Sequence, residues 1–148
     1  MRFQSYMLDK VALALLLEFG IGLSSLSAQH GPHGPENGLN TPPNAQGQIA
    51  PRLQNLGSHT FRIKTRSKRA QEFFNQGINL SYGFNHAEAM RAFGEVARLE
   101  PKCAIDYWGQ ALVLAPNNNM SMPPEAEPEA YKLIQKAIEL KPHASPKE

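Results

Sequence analysis

The sequence predicts an all-α fold of antiparallel helix-turn-helix units stacked side by side. Residues 70–101 read as two amphipathic helices about a tight turn, with apolar side chains recurring at helical spacing. Residues 104–142 then repeat the pattern of the second helix. Ala130, Ile134, Ala137, Leu140 and Pro142 are spaced as Ala89, Phe93, Val96, Leu99 and Pro101 are. Two units in register, closed by the same proline, are hard to produce by chance. The alternating stretch at residues 57–65, carrying Phe61 and Ile63, has no second strand pattern nearby to pair with.

In chain order, residues 1–28 have the form of a secretory signal. Arg2 and Lys10 flank the start, residues 11–17 are apolar, and Ser27-Ala28-Gln29 offers a cleavage site after Ala28. The run is too short to span a bilayer, so no stable membrane span is expected after cleavage. Residues 29–56 are rich in Gly, Pro, Asn and Gln and are expected to be a disordered linker, because they bring too little apolar surface to offset ordering. Residues 57–66 are expected to lie extended against the helices.

Ser67 is a suitable N-cap for a first helix over 68–82, which Gly83 should end. Asn85 and Glu88 suggest a capping box opening a second helix that Pro101 stops near Leu99. Gly77 and Ala89 are small where the two helices need close approach. The third helix runs from Ala104 to about Ala115, before Pro116. An enlarged turn leads to a fourth over 129–140. Ser145, Pro146 and Glu148 read as an N-cap, a first-turn proline and a capping-box acid. They announce the start of a further unit at 145–148, so a fragment of a longer repeat protein is expected.

The spacing resembles that of the tetratricopeptide repeat family. Phe73, Gly77 and Leu80 fall where that repeat has Trp, Gly and Tyr, and Ala89, Phe93 and Pro101 fall on its Ala, Phe and closing Pro. Tyr107, Ala111 and Leu114 take the first three places again in the second unit. More narrowly, residues 73–119 look like the opening of exported bacterial tetratricopeptide proteins of unassigned activity. The resemblance implies repeat 1 at about 70–103 and repeat 2 at about 104–142, stacked as a right-handed superhelix lined by first helices. It also implies a scaffold for another protein or peptide. The lining positions would be Phe74, Ile78, Ser81, Tyr82, Trp108, Leu112 and Ala115. These are mostly apolar, which argues against the charged clamp by which some relatives hold a terminal carboxylate. Two readings stay open: core awaiting a cover, such as a further repeat or the Phe61/Ile63 segment, or a peptide site centred on Trp108 and Tyr82.

Composition and motifs leave little room for other functions. With 15 basic and 13 acidic residues, no nucleic-acid affinity is indicated. The local run Arg62, Lys64, Arg66, Lys68 and Arg69 reads as a solvated helix entrance. Cys103 is the chain's single cysteine, which excludes an internal disulfide and suits a buried small side chain. No phosphate loop, nucleophile elbow or metal-ligand spacing occurs, so neither catalysis nor a cofactor is expected. The acids at 125, 127 and 129 suit a helix start. The alternative is an accessory N-terminal segment of a larger enzyme or metal carrier, using His30, His33, His59 or His86. The expected location is periplasmic or secreted.

Overall fold

The computed structural model describes residues 42–148; the expected signal and residues 29–41 of the expected linker lie outside the described residues. Among the described residues four α-helices follow one another: α1 (Lys68–Tyr82), α2 (His86–Leu99), α3 (Ala104–Leu114) and α4 (Glu127–Leu140). Short 3-10 turns at Pro124–Ala126 and Lys141–His143 flank α4. Among the described residues there is no strand, only an isolated bridge between Asn117 and Met120. Each helix packs chiefly on its neighbours in sequence, α1 on α2, α2 on α3 and α3 on α4.

Aromatic packing explains the order of the stack. Phe73, Phe74, Phe93, Val96 and Leu114 are fully buried. Phe74 and Phe93 meet across α1 and α2 with ring centroids 5.5 Å apart and tilted, a favourable arrangement for two quadrupoles. Phe93 also reaches both flanking helices where they lack a side chain. A Cβ on Gly77 of α1 would stand 2.6 Å from the ring, and one on Gly109 of α3 2.8 Å from it. One phenyl ring therefore sets two helix separations at once.

The helix ends obey the local chemistry, with two departures. Ser67 caps α1 by accepting the Ala70 N–H at 3.1 Å. Its C-terminus closes through the Asn85 N–H on the Leu80 carbonyl and the Phe84 N–H on the Ser81 carbonyl. In that pattern the residue after the cap must turn left-handed, and it is Phe84 (φ 59°), not Gly83 (φ −81°). The second departure follows from the first. With the Asn85 N–H already committed to Leu80, Glu88 has no N-cap donor to accept from and pairs with Arg91 instead. Only the Asn85 half of the expected box forms, its Oδ1 accepting the Glu88 N–H at 3.4 Å. Phe84→Gly is expected to stabilise the unit by about 1 kcal/mol, since a left-handed conformation costs an L-residue about that much. Urea titration of the two chains measures it.

In the second unit α4 begins at Glu127 rather than residue 129, because Pro128 fits the first turn of a helix without losing a hydrogen bond. At residues 145–148 the reciprocal half of a capping box forms. Glu148 Oε2 accepts the Ser145 N–H at 2.6 Å, and the Glu148 N–H donates to the Ser145 carbonyl at 3.1 Å.

The linker expectation needs correction over its described part. Residues 48–53 are pinned to the helices. The Ile49 N–H donates to Glu95 on α2 at 3.0 Å, the Leu53 N–H donates to Gln76 on α1 at 3.0 Å, and Gln76 returns a bond to the Pro51 carbonyl at 2.9 Å. Ala50 is buried. Composition misleads here because the anchoring is supplied by side chains of the helices, not of the segment. Residues 57–66 follow along α1, held by Gln71, Asn75 and Asn79, which bond the backbone of Ile63, Phe61 and His59 in turn. Ile63 is buried, and the Phe61 ring stands 6.0 Å from that of Phe74. The exposed side of α1 is thereby strapped over.

Candidate functional site

Helical spacing places residues 74, 78, 81 and 82 of α1 on one side, and residues 108 and 112 of α3 on the matching side, with Ala115 just past the end of α3, which stops at Leu114 rather than Ala115. The structure divides this set. Phe74 and Ile78 are buried, roofed by the Phe61 strap, and so form a floor rather than a free surface. Ser81 spends its hydroxyl on the Gly77 carbonyl one turn back, at 2.8 Å. Tyr82 stands largely free at 77% exposure. Phe74, Ile78, Tyr82 and Trp108 do share one hollow of about 380 Å³, lined also by His59, Lys147 and Glu148. Leu112 and Ala115 open instead on a separate hollow of about 570 Å³ with Met122, Tyr131 and Ile134.

Trp108 belongs to both, and to a third hollow of about 480 Å³ bounded by Ile105, Ile138, Lys141 and the 144–148 turn. It is 40% exposed, and around it Leu112 (37%), Ile138 (58%) and Tyr131 (66%) are also open. An indole at the meeting of three hollows, ringed by aliphatic and aromatic neighbours, is the arrangement in which truncating one residue costs most of a binding energy. Tyr131, Ile134 and Ile138 are site residues that the reading of α3 alone misses. Their signal lies in α4, where Ala130, Leu133 and Leu140 are buried and Ile134 and Ala137 half-buried, leaving Tyr131 and Ile138 as surplus apolar positions.

The chemistry of the described side chains is limited. Cys103 is buried, as expected of a small apolar side chain, but an acid that spacing did not flag lies one turn on. Asp106 is fully buried, and neither carboxylate oxygen finds a hydrogen-bond partner of good geometry; the Gln110 amide nitrogen beside it is likewise unsatisfied. Burial pushes the Asp106 carboxyl up to about 8. Burial, then the neighbouring Asp106, pushes the Cys103 thiol up to about 12, the opposite of what a thiolate nucleophile requires. On α2, Glu95 behaves differently. Burial raises its pKa, but hydrogen bonds from Arg98 and the Ile49 N–H, with the charges of Arg98 and Arg69, outweigh that and hold it below the usual range. Its role is to clasp residues 48–53.

His30 and His33 lie outside the described residues. Among the described residues no three His, Cys, Asp or Glu side chains gather where a metal ion could be held, and no helix is long and apolar enough to cross a membrane. No family model, no curated protein and no solved structure matches the chain.

Proposed function

We propose that the chain is a non-catalytic binding scaffold of tetratricopeptide type, exported by its N-terminal segment, which holds another protein or peptide against the face around Trp108. The observation that carries this reading is the exposure of Trp108, Leu112, Tyr131 and Ile138 as one apolar face on a stack whose opposite end is already covered. Sequential helix pairs with this packing order are what a repeat array requires. Residues 1–28 support export to a periplasmic or extracellular location, and the near-balanced charge gives no support to a nucleic-acid partner.

The test is retention of partners from the exported fraction by the full chain and by two variants. Trp108→Ala is expected to lose its partner by tenfold or more, as truncated aromatic anchors do. Tyr82→Ala, at the edge of the strapped hollow, is expected to lose less. Retention of every partner by both variants would sink the proposal.

A further inference from the structure

Gln71, Asn75 and Asn79 stand one turn apart on α1, and all three amides reach the main chain of residues 59–63. Gln71 accepts the Ile63 N–H at 2.9 Å and donates to the Phe61 carbonyl at 2.8 Å. Asn75 accepts the Phe61 N–H at 3.2 Å, and Asn79 donates to the His59 carbonyl at 2.9 Å. The spacings match. Four residues of helix rise about 6 Å, and two residues of extended chain span about 6.6 Å, so each rung meets every second residue of a segment running the opposite way. The rungs are also braced within α1, Gln71 donating to the Asn75 side chain at 3.0 Å and Asn79 to the Asn75 carbonyl at 2.7 Å.

None of the bonds to residues 59–63 reads a side chain. Any extended backbone can make them, which leaves selection to the alternate side chains, as in recognition of an added strand. Phe61 stands 6.0 Å from Phe74, and Ile63 is buried, while Thr60 and Arg62 in the other phase are exposed.

The resident segment is lightly held. From Pro51 to Arg62 no side chain is buried. Outside the ladder, the Lys147 ammonium lies 4.7 Å from the Phe61 ring centroid and Glu148 accepts the Lys64 N–H at 3.1 Å, with both lysines exposed. A stretch with little apolar burial and hydrogen bonds near solvent belongs to the low end of local stability.

We infer that the amide ladder of α1 is a site for an extended peptide of a partner protein, carrying an aromatic residue and a branched aliphatic one two places on. Residues 59–63 occupy that site as a tethered competitor. The ladder and the open face at Trp108 are carried by different observations, so each stands or falls without the other.

The test uses the full chain, native and with Phe61→Ala and Ile63→Ala together, a change that keeps the resident backbone and removes its two anchors. The probe is a labelled ten-residue Ser/Thr peptide with Phe and Ile two places apart, followed by fluorescence anisotropy beside the same peptide N-methylated at its Phe and Ile nitrogens. The expected result is saturable binding of the first peptide by the variant. The methylated peptide binds about tenfold more weakly, because Asn75 and Gln71 lose the N–H groups they accept from. The native chain also binds about tenfold more weakly, because its own segment competes at high effective concentration. Equal binding of the two peptides, or no binding by a variant whose helical circular dichroism is native, overturns the inference. So does binding by the variant with none by the native chain, which would make the segment a fixed part of the fold. If the variant loses its helical signal, the isotope-labelled native chain decides: excess peptide is expected to speed amide exchange at Phe61 and Ile63 about tenfold, and unchanged exchange overturns the inference. A native chain that sediments as a dimer and is returned to monomer by Phe61→Ala assigns the ladder to a second copy and also overturns it.

Discussion

Phe93→Ala is expected to lower the unfolding free energy by about 3–5 kcal/mol, the range for deleting a buried phenyl ring. The ring is fully buried and touches α1, α2 and α3 together, so its loss leaves a void where three helices meet. Against the roughly 5–15 kcal/mol by which ordinary domains are stable, that is a large share. The complementary change is Gly77→Ala. Its new Cβ would lie 2.6 Å from the ring, and overpacking of this kind costs about 1–3 kcal/mol. Because both effects act through one contact, they should not add. Phe93→Leu, which thins the side chain, is expected to recover much of the Gly77→Ala penalty. Guanidinium unfolding of the four chains of that cycle gives the coupling energy; strict additivity would mean that Phe93 does not set the α1 to α2 separation.

The second large effect concerns pH. A free aspartate titrates near 3.8, and burial pushes Asp106 up to about 8 in the fold. Between those values the folded state holds a proton that the unfolded chain has released. Stability must therefore fall as pH rises through that window and level off above it. A shift of this size corresponds to a penalty on the order of several kcal/mol at the alkaline end. Asp106→Asn removes the ionisation with little change of shape. Thermal melts of the native chain are expected to drop steadily from pH 5 to above pH 8, while the variant stays nearly level and is the more stable of the two at pH 8.5. A native chain whose melting point is flat across that range would show that Asp106 is solvated or paired in solution.

Both effects bear on what could be read without a structure. The four helices of the described residues were legible because their apolar spacing is strong and three of them stop before a proline, at Pro101, Pro116 and Pro142. Gly77 was legible as a close approach, since few residues other than glycine permit one. Gly109 was not, because a lone glycine in an apolar run carries no sign of what it faces. The strap at 48–66 was only half legible. Phe61 and Ile63 showed a sticky side, but residues 48–53 looked like linker. The groups that hold both stretches, Gln71, Asn75, Gln76, Asn79 and Glu95, sit on the helices and read as ordinary polar positions. The exchange of turn residue from Gly83 to Phe84 was illegible for a related reason. Left-handed geometry is assigned by the hydrogen bonds that close α1, and composition favours the wrong neighbour.

For the proposed binding surface, the spacing singled out Trp108, Leu112 and Tyr82, which are exposed, but joined them to Phe74 and Ile78, which are buried. It missed the α4 half altogether. A groove belongs to two elements, and periodicity describes one element at a time.

Amide hydrogen exchange on the full chain, with and without a partner recovered from the exported fraction, tests most directly where that surface lies. The expected result is added protection in residues 104–115 and 127–140, with residues 48–82 unchanged. Protection centred on residues 57–82 would place binding on the strapped side of α1 and contradict the assignment of the open face at Trp108.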